Sequence, residues 1–169
     1  MFKLLPSPVF SDPGVTTTPI QDRLKSLMCG KRRVVWVYET PDTSTFRYRV
    51  LNMIDALRDD ASLEVGAAWF NGGELAVVES IVSKIDVLVL GRFQYSTQLH
   101  HLILCARRCG VRVLFDCDDL VFDVRYATLV ADTLAQDLRA SEVWNSWFAY
   151  MGRLNAAVKL CDGGITTNR

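Results

Sequence analysis

The chain has 169 residues, 50% hydrophobic and 22% charged, with 19 basic residues balancing 19 acidic ones. That length suits one domain with a sizeable core, and the composition excludes a disordered chain. A formal net charge of +0 leaves no global field to attract nucleic acid, and no apolar run reaches membrane-spanning length.

Residues 1–32 carry Pro6, Pro8, Pro13 and Pro19 around Thr16-Thr17-Thr18. They are expected as a poorly ordered leader, with Leu24 to Met28 as a short docking helix. No basic region followed by a long apolar stretch opens the chain, so secretion is not expected. From residue 33 strand and helix patterns alternate. Val34 to Tyr38 reads as a first strand, and Phe46, Val50, Leu51, Ile54 and Leu57 follow at helical spacing. Leu63 to Phe70 reads as a second strand, and Gly72-Gly73 as a turn opening a helix that carries Leu75, Val78, Ile81 and Val82. A third strand covers 85–90. The next helix places Leu99, Leu102, Ile103 and Ala106 on one face and ends at Gly110, a C′ residue, with Arg107 and Arg108 in its last turn.

The fourth strand, 111–115, empties into Asp116-Cys117-Asp118-Asp119 and, further on, Asp123. A long helical region from about Thr128 to Leu160 follows, with a break expected near Gly152, and then a short fifth strand over Gly163 to Thr167. This alternation predicts an α/β fold with a Rossmann-like, doubly wound parallel sheet and helices on both faces. A doubly wound sheet normally continues or closes with a helix, so residues 33–169 read as one domain of something larger.

Five cysteines (Cys29, Cys105, Cys109, Cys117 and Cys161) fit a reducing compartment. Cys105 and Cys109 are four apart on a helix face, but with no CxxC pair or suitably spaced histidine they read as ordinary thiols. His100 and His101 are adjacent, face different directions and read as surface or packing residues. Trp144, Trp147, Phe148 and Met151 recur at helical spacing, for core or interdomain packing or for an amphipathic surface toward a membrane or a lipid-linked acceptor.

Open α/β sheets bind ligands at the carboxyl ends of their strands. Two loops there carry chemistry. After the first strand, Ser44 or Thr45 is placed to cap the helix, and Arg47 and Arg49 lie in its first turn, where cations oppose the dipole unless an anion binds or a local acid such as Asp42 pairs with them. After the fourth strand, the acidic cluster has three readings. Asp116-x-Asp118 can hold a divalent cation. Asp118 or Asp119 can accept from an acceptor hydroxyl or act as a base. The carboxylates can also simply cap a turn and neutralise Arg47, Arg49 or Arg125. GxGxxG after the first strand and a P-loop are both absent, which disfavours a dinucleotide cofactor.

Ser44-Thr45-Phe46-Arg47-Tyr48-Arg49-Val50-Leu51-Asn52-Met53-Ile54, Gly91-Arg92 closing the third strand, Val113 to Leu120, and Cys161 to Asn168 together resemble the N-terminal half of GT-B glycosyltransferases of the large group-1 type. The resemblance spans roughly residues 33–169 and implies an acceptor-side domain facing a second domain that holds most of the nucleotide-sugar donor. The donor-side Glu-x7-Glu pattern of that family is absent, so the chain is expected to lack its donor domain and to be nearly inactive alone. The resemblance further implies Asp118 and Asp119 as catalytic residues that orient the acceptor hydroxyl, and Ser44, Thr45, Arg47, Arg49 and Arg92 as ligand and phosphate contacts. It implies no metal site and no cofactor beyond the nucleotide-sugar co-substrate. The expected partners are a glycan or lipid-linked acceptor and no nucleic acid, with a cytoplasmic location and peripheral contact at the inner face of the membrane. Two alternatives stand beside it. One is a stand-alone α/β binding or regulatory module, although a phosphoacceptor receiver needs an acidic pair where the first strand has Val37-Tyr38-Glu39. The other is a metal-dependent GT-A transferase using Asp116-x-Asp118.

Overall fold

The structure is a computed structural model that describes residues 17–41, 44–133, 137 and 139–167. Its elements run α1 (Ile20–Met28), β1 (Arg32–Tyr38), α2 (Ser44–Phe46), a π-helical turn (Arg47–Leu51), α3 (Asn52–Asp59), β2 (Val65–Asn71), α4 (Leu75–Ile81) and β3 (Val87–Gly91). They continue with α5 (Thr97–Arg108), β4 (Arg112–Asp116), α6 (Ala127–Asp132), α7 (Ser141–Val158) and β5 (Gly163–Ile165). All strands pair in parallel in the order β2-β1-β3-β4-β5. This is a doubly wound α/β sheet in one domain, as the strand–helix alternation predicts.

The strands alternate their side chains between two unequal faces. Val35, Val37, Phe70, Leu88, Leu90, Val113 and Phe115 point into the larger core, covered by α1, α4, α5 and α7. Trp36, Tyr38, Ala67, Trp69 and Val89 point the other way, under Phe46, Val50 and Ile54 of the α2–α3 segment. Central strands buried on both faces must be apolar at nearly every position, which explains the unbroken hydrophobic runs.

Local chemistry sets the element boundaries. Gly110 sits at φ 75° with Val111 N–H donating to Ala106 O at 2.9 Å and Gly110 N–H to Arg107 O at 3.0 Å, the Schellman closure expected of a C′ glycine. Asn71 and Glu74 form a capping box that turns β2 into α4 through Gly72-Gly73. The expected break at Gly152 is not there: α7 runs through it from Ser141 to Val158. One glycine costs a helix interior only about 1 kcal/mol, which the buried Met151, Leu154 and Ala157 outweigh. The interruption comes earlier, where Asp137 accepts from Arg139 N at 3.0 Å and from Ala140 N through its carbonyl at 3.1 Å.

Packing also begins before residue 33. Helix α1, inside the expected leader, seats Leu27 in the main core and its C-terminal end directly on Gly66 of β2. A Cβ on Gly66 would lie 1.9 Å from Leu27 O, so only glycine admits this approach. Arg23, 5% exposed, reaches across to donate to Trp69 O at 2.7 Å and to both Glu74 carboxylate oxygens at 2.9 and 2.6 Å. Its guanidinium also stacks 4.3 Å from the Trp69 ring centroid. Burial would raise the Glu74 pKa, but the Arg23 hydrogen bond, the Asn71 N–H and the Arg23 charge bring it below the usual carboxylate value. Residues 1–16 of the expected leader lie outside the described residues.

Candidate functional site at the carboxyl edge of the sheet

The strand order reverses between β1 and β3, so the segments after them leave toward opposite faces and open a crevice at their carboxyl ends. Glu39, just past β1, bridges this crevice: its Oε2 accepts from Gln94 Nε2 at 3.0 Å and Gln94 N at 3.4 Å. Gly91 ends β3 beneath the Tyr38 ring. A Cβ there would meet Tyr38 Cδ2 at 2.6 Å, so the glycine gives the ring its seat, with Phe46 stacked 5.4 Å beyond.

Arg49 is delivered by the π-helical turn, in which Asn52 N–H donates back to Arg47 O. The extra residue rotates the segment relative to an α-helix, a distortion common at functional sites. From there Arg49 crosses to β4 and donates to Asp116 Oδ1 through Nε at 2.9 Å and through Nη2. Asp116 is 4% exposed and Arg49 17%. Burial pushes the Asp116 carboxyl above its usual value, with Arg49 pulling against it.

Arg92 adopts φ 45°, a left-handed conformation unfavourable for a residue with a Cβ. Three contacts hold it there. Its N–H donates to Asp116 O at 2.9 Å, its Nη2 donates to Asp119, and its Nε lies 2.9 Å from Asp118 Oδ1. The last is an ion pair not aligned as a hydrogen bond, and both atoms of it are buried from solvent. Burial lowers the Arg92 pKa, but the Asp118 charge together with Cys117, Tyr150 and Tyr38 outweighs it, leaving the guanidinium more basic than usual. Non-glycine residues forced into such backbone conformations cluster at functional sites.

Beside this cluster lies a cleft of about 600 Å³ whose walls include Arg92, Asp118, Asp119, Leu129, Trp147 and Tyr150. Tyr95 N–H donates to Arg153 O at 3.1 Å, which sets Arg153 level with the loop that follows β3. The buried side chains of α7 are Met151, Leu154 and Ala157, all in its second half. Its middle turns supply Trp147 and Tyr150 as one wall of the cleft. Cys117, buried below, has its thiol pushed up to about 11 by burial and stays protonated at neutral pH.

The structure thus brings together Arg92, Asp118 and Asp119, and beside them Arg49 with Asp116. Ser44 and Thr45 are the first described residues of α2, and Arg47 is exposed on the π-helical turn. Asp42, considered as an arginine partner, lies outside the described residues. Arg125 pairs locally with Asp123 at 2.6 Å, away from the other carboxylates. Asp116 and Asp118 each face a different guanidinium, which separates the two carboxylates of the Asp116-x-Asp118 pattern. Sequence reasoning missed Tyr150, Trp147 as a cleft wall, and the role of Gly91. Among the described residues no helix is long and apolar enough to cross a membrane. No family model matches the chain, and no curated protein and no solved structure matches it significantly.

Proposed function

We propose that this chain is the acceptor-side domain of a sugar transferase of the GT-B kind, which holds a glycan or lipid-linked acceptor against a nucleotide-sugar donor bound mainly by a second domain. The observation that carries this reading is the cleft at the carboxyl edge, with Asp118 and Asp119 fixed by a strained Arg92 under an aromatic wall. Carboxylates accept from vicinal hydroxyls, and an indole face packs on the C–H face of a sugar ring. In this reading the partly exposed carboxylate of Asp118 orients the acceptor hydroxyl, and Asp119 shares that role while it holds Arg92. Arg92 and the exposed Arg47, in this reading, supply positive charge to stabilise the donor phosphates. Arg49 and Arg92 offset two of the three carboxylates Asp116, Asp118 and Asp119, which lessens the need for a divalent cation.

The test is to titrate the chain with soluble oligosaccharides while recording backbone amide spectra. Shifts are expected at residues 92, 118–120, 147 and 150, with Asp118→Asn weakening binding about tenfold or more. Nucleotide sugar alone should perturb these residues less. Shifts scattered elsewhere, or none with any glycan, would overturn the reading. Manganese broadening centred on residues 116–119 would favour the metal-dependent GT-A alternative instead.

A further inference from the structure

On the larger-core face, away from the cleft, α4 and α5 pack side by side. Three side chains of different donor type meet between them. His101 and Cys105 are one turn apart on α5, and Glu79 faces them from α4. His101 Nδ1 lies 3.3 Å from Glu79 Oε1, and the Cys105 sulfur lies 3.9 Å from the imidazole nitrogens. One ligand atom from each of the three residues falls within 4.8 Å of the others.

These separations have a chemical meaning. With metal–ligand bonds of about 2.0 Å to nitrogen or oxygen and about 2.3 Å to sulfur, a tetrahedral zinc ion has edges of about 3.3 Å for N···O and about 3.5 Å for N···S. The observed 3.3 Å matches the first edge. The Cys105 sulfur, 3.9 Å from both Nδ1 and Nε2, lies along neither lone pair, so metal binding requires the His101 ring or the Cys105 thiol to turn to a new rotamer. The i, i+4 spacing puts His101 and Cys105 on the same helical face, and Glu79 adds the negative charge that a divalent ion requires. A mixed nitrogen, sulfur and oxygen set selects zinc and related transition metals over magnesium or calcium, which prefer oxygen alone.

We propose that Glu79, His101 and Cys105 form a three-residue site for a zinc-type transition-metal ion, with water completing a tetrahedron. It pins α4 to α5 and is independent of the acceptor cleft. The spacing of Cys105 and Cys109 alone signals no site; the histidine that completes one, His101, lies one turn before Cys105.

The experiment adds Co²⁺ and Zn²⁺ to the full metal-free chain. Co²⁺ should produce tetrahedral visible bands and a thiolate charge-transfer band that saturate at one equivalent, with Zn²⁺ displacing it. His101→Ala and Glu79→Gln should each weaken binding at least about tenfold, and Cys105→Ser should abolish the charge-transfer band. Glu79 and His101 are 39% and 56% exposed, so their variants should remain folded by circular dichroism. As a second readout, Zn²⁺ should slow alkylation of Cys105, followed by peptide mass spectrometry, and leave the exposed Cys109 unprotected. No charge-transfer band in the native chain, a band that persists in Cys105→Ser, or equal alkylation with and without Zn²⁺ would reduce the cluster to an ordinary His–Glu ion pair beside a bystander thiol.

Discussion

Severing the Arg49–Asp116 pair should have an asymmetric cost. Arg49→Met leaves a carboxylate that is 4% exposed without its guanidinium, whereas Asp116→Asn leaves a guanidinium that is 17% exposed and still reached by water. Breaking a buried pair from one side costs roughly 3–5 kcal/mol, and the partial exposure of Arg49 places Arg49→Met near about 3 kcal/mol. Asp116→Asn should cost less, about 1–2 kcal/mol, because burial already raises the Asp116 pKa and a neutral group there is easier to bury. In a domain of this size a 3 kcal/mol loss lowers Tm by about 6–12 °C. The sign with pH follows from the raised pKa. A carboxyl whose folded pKa lies above the unfolded value stabilises when protonated and loses that contribution as pH rises through the folded pKa. Without Arg49 the pKa climbs further, so the deficit of Arg49→Met should grow as pH rises above the usual carboxylate range. Urea unfolding followed by tryptophan fluorescence at several pH values, with the double variant completing the cycle, measures all three quantities. An Asp116→Asn loss larger than that of Arg49→Met, or an Arg49→Met loss independent of pH, would refute the reasoning.

Other outcomes follow from the same geometry. Glu74→Gln should cost about 2–3 kcal/mol near neutral pH because Arg23 is buried. Since the Glu74 pKa is lowered, native stabilisation is present above the unfolded value and lost as pH falls through the folded one, so the native–variant gap in urea midpoint should close below about pH 4. Gly91→Ala should destabilise by about 1–3 kcal/mol, since the Tyr38 ring would have to leave its seat, and an altered near-ultraviolet aromatic signal should report it. Gly152→Ala should instead stabilise by up to about 1 kcal/mol, because α7 is continuous there and an added Cβ meets nothing within 4 Å. A rise in Tm checks it.

Where a feature was local, the sequence announced it. The apolar runs of β1, β3 and β4 signalled strands buried on both faces, and Gly110 behind Arg107-Arg108 signalled the end of α5. The aspartates after β4 were visible as a cluster at a strand end. Their partners were not, because Arg49 and Asp116 are 67 residues apart and only the sheet order makes them neighbours. Arg23 and Glu74, 51 apart, were hidden for the same reason: the docking helix expected over Leu24 to Met28 was legible, but its longer extent and its anchor on Glu74 were not. The π-helical turn left no periodicity signal distinct from an α-helix, although it decides where Arg49 points. Gly152 misled because propensity marks a weak position, while burial of its neighbours decides whether the helix breaks. Asn71-x-x-Glu74 was a legible capping box that pattern reading passed over in favour of the two glycines between them.

Helix α7 has two mechanical halves. From Met151 onward its buried side chains clamp it to the core, while the preceding turns carry Phe148 at 48% exposure. Amide exchange should therefore divide within one unbroken helix, slow after Gly152 and fast before it. Gly152 sits at the join, one residue past the fully buried Met151. Trp147 and Tyr150, the aromatic wall of the cleft, stand at that boundary, packed on the main core on one side and lining the cleft on the other. A ligand in the cleft should therefore slow exchange in the turns before Gly152 and leave the clamped turns after it unchanged.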